Sequence, residues 1–305
     1  MSHVVTLIDD PQRAQLHSHH VEAVRSSLAD AGADPGGEDW LADGVACDLA
    51  FTCPPGWSGG QAAALEARLR RALGEAPLDL AIQKSASRRK RLLVADMEST
   101  IIEQEMLDEL GDLVGKRDEI AAVTERSMRG ELNFEAALRE RVILLKGLPE
   151  SVLADVSDRM TLMGGAETLV ATLRRHGTYC ALVSGGFTCF AEPIGRRLGF
   201  DLVRANRLQV HEGRLTGEVE PPILGRDAKL EALRELCDRQ GITPEQAAAV
   251  GDGANDLAML EEAGLGVAFH GKPLVRVRAR FRLDHGDLTG LLFLQGYRAA
   301  EFVLP

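Results

Sequence analysis

"LLVADMEST", Leu92 to Thr100, is the stretch that decides the fold. An apolar run, Leu92–Ala95, stops at Asp96, and Glu98 follows after one spacer residue. An unbroken apolar run marks a strand covered on both faces, as in a parallel sheet. Positions i and i+2 of a strand share a face, so the two carboxylates sit side by side. Like charges that close destabilise each other unless a cation or a shared proton intervenes. Ligands of open parallel sheets bind where strands end, which puts a site at Asp96.

Working outward, three more buried-strand candidates follow: "TYCALVS" (Thr178–Ser184), "AAAVGD" (Ala247–Asp252) and "LGVAF" (Leu265–Phe269). Helical patterns alternate with them, the signature of an α/β sheet. A largely helical insert, Glu103 to Met163, separates the first two strands; in it Phe134, Leu138 and Val142 recur at i, i+4. "RLQVHEGRLTGEV" (Arg207–Val219) reads as a hairpin around a Glu-Gly turn. Before Arg88, strand patterns at His3–Ile8, Ala46–Phe51 and Leu78–Ile82 alternate with helices, one carrying Leu16, Val24 and Leu28, the other Gln61–Leu73. Gly32–Asp39 and Pro54–Gly60 read as loops, and "SRRKR" (Ser87–Arg91) as a solvated linker. The expected fold is α/β, a doubly wound and mainly parallel sheet with a helical cap, plus a small N-terminal α+β domain. The expected boundaries are 1–86 for the small domain and 90–305 for the larger, with the cap at about 103–163.

Four segments carry chemistry. Asp96 is a strand-end carboxylate, or a turn cap. Ser184, with the N–H groups of Gly185 and Gly186, can hold phosphate oxygens, or form a plain strand-to-helix turn. Lys229, in "GRDAKLEAL", reads alone as a surface lysine. In "VGDGANDLAML" (Val250–Leu260), Asp252, Asn255 and Asp256 crowd a glycine-rich turn, and such hard oxygen ligands suit magnesium.

Their order is the discriminating feature. Strand–Asp-x-Glu-x-Thr, strand–Ser-Gly-Gly, Lys and strand–Gly-Asp-x-x-Asn-Asp resemble the haloacid dehalogenase superfamily, and within it the phosphoserine phosphatases, from Leu92 to about His285. The insert "ERSMRGELNFEAALRERVILLKGLP" resembles their helical cap, and the element order of residues 1–86 resembles an ACT-type regulatory domain. The resemblance implies that Asp96 attacks phosphorus, that Glu98 is the acid and base, and that Mg2+ binds Asp96, the Glu98 carbonyl and Asp252. It implies further that Asn255 and Asp256 order the metal and its surroundings. Ser184, Gly185 and Lys229 would hold the phosphoryl group. Glu105 would take the amino group of O-phosphoserine and Arg141 its carboxylate, with Arg139 as near competitor. Met128 and Phe134 would form an apolar lid, Phe134 being equally readable as cap core. The family usually has Asp where Glu98 stands. One added methylene moves the carboxyl by about 1.5 Å, which opens phosphotransfer to another alcohol as an alternative to hydrolysis.

Composition narrows the partners. The 305 residues include 46 acidic against 35 basic, a net charge of -11 that lacks the broad positive footprint of nucleic-acid binding. No apolar run approaches a membrane span. The five cysteines are scattered, so buried thiols in a reducing, cytoplasmic setting are expected. The expected partner is a small-molecule substrate, with no nucleic acid and no membrane, and a homodimer stays open. Besides phosphoserine hydrolysis, the alternatives are another small phosphomonoester and a regulatory amino-acid-binding protein with a lapsed site. A chain cut before Arg88 is expected to keep most of its turnover if it folds.

Overall fold

A computed structural model describes residues 2–53, 59–128, 131–225 and 227–304. Part of the expected loop at Pro54–Gly60, and the side chain of Met128, lie outside the described residues. The N-terminal unit runs β1 (Ser2–Ile8), α1 (Ser18–Asp30), β2 (Asp34–Ala42), β3 (Ala46–Thr52), α2 (Gly59–Leu73), β4 (Asp79–Lys84). Its antiparallel sheet has the order β2-β3-β1-β4, the ferredoxin-like arrangement. Residues 34–39, read from sequence as loop, are strand. "DPGG" carries turn residues, yet β2 is an edge strand with register shifts at Pro35/Glu38 and Trp40/Ala42, where proline and bulges are tolerated.

Period two explains the two faces of this sheet. Val5, Leu7, Cys47, Leu49, Phe51, Leu80 and Ile82 join α1 and α2 in one apolar cluster. The alternate positions Ile8, Ala46 and Ala81 join the core of the rest of the molecule. Thr6, Asp48, Asp79 and Gln83 share that second face and are buried. The linker is largely solvated as expected, with Ser87, Arg89 and Arg91 exposed, but Arg88 turns inward against this face. Arg88 donates to both oxygens of Asp48, to Thr6 Oγ1 (2.9 Å) and to the Phe293 and Leu294 carbonyls (2.9 and 3.1 Å). Five short-range acceptors offset the cost of burying a guanidinium. Arg89 stacks on Tyr297 with its carbon 4.0 Å from the ring centre.

The larger unit contains β5 (Leu92–Ala95), the insert helices α3 (Met106–Leu113), α4 (Arg117–Met128), α5 (Phe134–Val142) and α6 (Val152–Ser157), then α7 (Ala166–Arg175), β6 (Tyr179–Phe187) and α8 (Thr188–Leu198). The hairpin β7 (Leu202–His211) and β8 (Arg214–Glu220) follows, then α9 (Ala228–Gln240), β9 (Ala247–Gly251), α10 (Leu257–Glu262), β10 (Leu265–Phe269), α11 (Pro273–Arg278), β11 (Phe281–Leu283) and α12 (Gly290–Leu294). The sheet order is β11-β10-β9-β5-β6-β7-β8, parallel except for the β7–β8 pair. Leu92 and Val94 pack with Ala249, Val183 and Leu233 on one side; Leu93 and Ala95 pack with Leu182, Val250 and Leu169 on the other. That is the two-faced burial the apolar runs predict. Strand order reverses at β5, with β6 on one side and β9 on the other, so a crevice opens at the end of β5.

The cap is tied down at two places. Leu110, Leu138, Val142 and Val156 from the insert belong to the same core cluster as the sheet. The chain after α5 also bonds to the hairpin edge: Gly147 N–H donates to Leu215 O (2.8 Å), and Leu215 N–H donates to Leu148 O (2.9 Å). Edge β8 is thereby covered rather than left open for pairing.

Candidate active site

Asp96 sits one residue beyond β5, and its N–H donates to Val250 O (3.0 Å), locking it beside the end of β9. Its Oδ1 accepts from the Met97 N–H (2.7 Å) and lies 2.7 Å from Lys229 Nζ. Lys229 is buried on the first turn of α9 and also donates to Asp256 Oδ1 (2.6 Å). It is thus not the surface lysine that isolated reading suggests. Burial alone would lower its pKa, but Asp256 and Asp96 outweigh that and hold it above the ordinary lysine range.

Asp252 and Asp256 leave the end of β9. A Cβ on Gly251 would lie 2.3 Å from Asp256 Cγ, so only glycine lets the Asp256 carboxylate fold back against the strand. Asp256 Oδ2 then accepts from the Gly253 N–H (3.0 Å). Carboxylate oxygens of Asp96, Asp252 and Asp256 lie within 4.8 Å of one another, and all three residues are buried. Burial pushes Asp252 up to about 6, the charge of Asp96 adding to it and Lys272 opposing it. Burial and Asp96 push Asp256 up as well, although Lys229 pulls it down. An acid cluster that holds protons this readily has too little positive charge around it, and its hard oxygens fit a divalent cation.

Ser184 and Gly185, at the end of β6, meet Lys229 and Asn255 around one cavity that Phe134 from α5 also lines. The Ser184 Oγ accepts from the Gly186 N–H (2.9 Å). Asn206, fully buried on β7, escaped sequence reading, for one polar residue in a strand carries no signal. Its amide donates to Gly185 O (2.8 Å), and its Oδ1 accepts from the Leu224 N–H (2.7 Å). The side chain therefore sets the Ser-Gly-Gly turn against the loop that leads to α9.

Glu98 reaches under the cap. Its Oε1 accepts from the Met106 N–H (3.0 Å) at the start of α3. A Cβ on Gly186 would lie 2.9 Å from that oxygen, so the missing side chain makes room for the longer acid. Burial of the carboxyl, and then the charges of Glu105 and Asp96, raise the Glu98 pKa to about 8. Such a group is a protonated acid near neutrality and a base once its proton is spent. The chain turns sharply just after Glu98: Ser99 has φ +52, a costly conformation for a non-glycine residue.

Glu105 stands at the N-cap position of α3, and its side chain accepts from Ser99 Oγ (2.9 Å) and makes no bond to the helix N–H groups. Arg141 lies half-buried on α5; burial lowers its pKa, while the charges of Glu98, Asp108 and Glu105 hold it up. Arg139 points elsewhere and pairs with Glu135 on the outer face of the same helix (2.8 Å). Phe134 lies over the phosphate-type turn, since a Cβ on Gly185 would meet its ring at 3.0 Å. Lys272, from "HGKP" after β10, was not singled out by sequence. It lies 3.1 Å from Asp252 Oδ2 and 3.5 Å from Glu105 Oε1, and its N–H donates to Asp252 O (2.9 Å). A strand-end Gly-Lys-Pro was the available signal, as the Asp96, Ser184 and Asp252 segments also lie at strand ends.

Residues 93–261 match the model of the haloacid dehalogenase-like hydrolases. A phosphoserine phosphatase of Mycobacterium tuberculosis is 43% identical over 256 residues, 83% of this chain and 62% of that protein. The chain thus spans less than two thirds of that relative. A hydrolase of the same family from Salmonella enterica serovar Typhi superposes over 96% of this chain and 98% of its own, with TM-score 0.82 and 28% identity. A phosphoserine phosphatase solved as an analogue of its phospho-aspartyl intermediate matches 67% of this chain and 98% of its own, with TM-score 0.63 and 40% identity. With its site elements on one switch point of the sheet, the chain belongs to the haloacid dehalogenase-like hydrolases, among relatives that are phosphoserine phosphatases.

Proposed function

We propose that this chain is a Mg2+-dependent phosphoserine phosphatase, hydrolysing O-phosphoserine to serine and phosphate through an aspartyl-phosphate on Asp96. The observation that carries the reading is geometric: Asp96 meets Lys229 (2.7 Å) and the Asp252–Asp256 acid cluster at one strand end, with Glu98, its carboxyl raised to about 8 by burial, two residues on. Both donors to Asp96 engage Oδ1, which leaves Oδ2 as the oxygen we assign the attack on phosphorus. The P–O bond to serine breaks as the Glu98 proton passes to the leaving oxygen, so serine departs as a neutral alcohol. Glu98, now a carboxylate, takes a proton from water as the water oxygen attacks phosphorus. Phosphate leaves, Asp96 is restored, and Glu98 is protonated again. Splitting one displacement into two lowers each barrier. Lys229, Ser184 and the Gly185 N–H hold the transferring phosphoryl oxygens in a buried setting where charge contacts are strong.

Asp96 and Asp252, with the Glu98 carbonyl, would hold the Mg2+, and Asn255 and Asp256 would order its surroundings. A bound magnesium supplies charge neutralisation for the acid cluster and the phosphoryl oxygens. Glu105 pairs with the ammonium of the substrate and Arg141 with its carboxylate, the latter as a planar fork. We assign residues 1–86 as an ACT-like unit, and 90–305 as the catalytic unit with its cap at about 103–163.

The test is phosphoserine turnover with Mg2+ in wild type, Asp96→Asn and Glu98→Asp. Asp96→Asn is expected to lose on the order of a thousandfold or more, whereas Glu98→Asp retains measurable turnover. Unchanged turnover in Asp96→Asn would falsify the nucleophile assignment.

A further inference from the structure

The loop that carries Lys272 is not held by its own unit alone. His270 has φ +43, a strained backbone for a residue with a side chain. Two bonds hold it there. Its N–H donates to Leu283 O (2.8 Å), and its Nε2 lies 2.9 Å from Gly286 O. A carbonyl only accepts, so the ring carries its proton on Nε2 and donates it. The segment that supplies Gly286 is fixed in turn from the N-terminal sheet. Asp79, the first residue of β4 and fully buried, accepts from the N–H groups of Asp284 (2.7 Å), His285 (3.1 Å) and Gly286 (2.9 Å). Three N–H groups converging on one carboxylate form a charge-assisted clamp. Gly286 fits closely under it: a Cβ there would lie 3.4 Å from Asp79 Oδ2 and 3.6 Å from Ile8 Cγ2.

We propose that Asp79 is a positioning residue for the active-site loop. Its carboxylate fixes residues 284–286, Gly286 fixes His270, and His270 sets where Lys272 meets Asp252 and Glu105. The N-terminal unit is therefore a structural part of the active site. Lys272 bridges an acid of the cation cluster and the acid assigned to the substrate ammonium, so its displacement loosens both at once. The kinetic half of this inference rests on the proposed phosphatase reading, whereas the structural half does not.

The experiment follows amide hydrogen exchange in the full chain without substrate, at residues 270–272 and 284–286, in wild type, Asp79→Asn, His270→Phe and Gln83→Ala. The Asn variant keeps the shape but replaces one acceptor oxygen by a donor facing an N–H. It is expected to speed exchange about tenfold at both segments, the scale set by one lost charge-assisted bond. His270→Phe is expected to speed exchange at 270–272 alone. Gln83→Ala, which removes a different bond between the same faces, to Leu294 O (2.8 Å), should change neither segment. Faster exchange at 284–286 with none at 270–272 in Asp79→Asn overturns the proposal. So does unchanged exchange at 270–272 in His270→Phe, which decides the matter if Asp79→Asn does not fold. The kinetic arm is a double-mutant cycle. Asp79→Asn should lower kcat/KM for phosphoserine about tenfold in wild type and less than about twofold in Lys272→Ala. Equal factors in both backgrounds would mean that Asp79 acts on general stability and not through Lys272. If wild type fails to turn over phosphoserine, the phosphatase reading falls and the exchange results still judge the loop.

Discussion

At the scale of single residues, the pair Glu98 and Gly186 explains how the site accommodates a longer acid. The Glu98 oxygen occupies the place that a Cβ on Gly186 would need. Gly186→Ala should push the carboxyl off the line between Met106 and the phosphoryl site. Misplacement near 1 Å costs about a hundredfold, and kcat should fall on that scale with little change in KM. In Glu98→Asp the carboxyl withdraws, so the same alanine should cost less than about tenfold. The measurement is kcat for the two single variants and the double; equal factors for alanine in both backgrounds would remove Gly186 from the account. Sequence alone exposed the substitution of Glu for the usual Asp, because a motif position is visible. It could not expose the compensation, since a glycine after Ser-Gly reads as turn chemistry whatever stands opposite it.

At the scale of elements, α5 sorts two arginines that sequence left as competitors. Phe134, Leu138 and Arg141 fall at i, i+4 and i+7, on the inward face of the helix, while Arg139 is turned toward Glu135 on the outer face. Arg141→Ala should raise KM for phosphoserine at least about tenfold, the cost of losing a charged hydrogen-bond partner. Arg139→Ala should stay within about twofold, as exposed i, i+4 pairs contribute little. Steady-state kinetics on both variants separate them, and a larger KM effect from Arg139 would reassign the carboxylate site. Helix periodicity made that sorting readable in principle. Buried strands, the hairpin and the insert were legible for the same reason, as apolar period and turn residues are local signals. β2 was not, because glycine and proline mark a loop unless an edge position and bulges are known. Asn206 and Lys272 were missed because their roles are set by which strand ends lie side by side.

At the scale of the whole molecule, the second face of the N-terminal sheet joins the larger core, and Arg88 of the linker is largely covered between the two. The expectation that a chain cut before Arg88 keeps its turnover gives way to another. Such a chain loses the Asp79 clamp and bares Leu288, Phe293 and their neighbours, so it should show a lower Tm and reduced turnover. The acid cluster adds a pH signature to the full chain. Glu98 rises from 4.5 to about 8 and Asp252 from 3.8 to about 6, and Asp256 rises too. Each of these groups binds its proton more tightly folded than unfolded. Between the unfolded and folded pKa, the folded state holds a proton that the unfolded state has released, so stability falls as pH rises. Their contribution is complete below about pH 4 and lost progressively up to about pH 8. Chelator-treated protein should accordingly lose Tm between pH 5.5 and pH 8. Added Mg2+ should raise Tm more at pH 8, where the cluster carries more negative charge and competes less with protons. Glu98→Gln has no proton to release, so in the metal-free state its Tm should fall less between pH 6.5 and pH 8 than that of wild type. Thermal melts of both proteins with and without chelator read the difference. An equal fall over that interval would mean that Glu98 is already ionised when the chain folds, and the acid assigned to the leaving serine would have to be sought elsewhere.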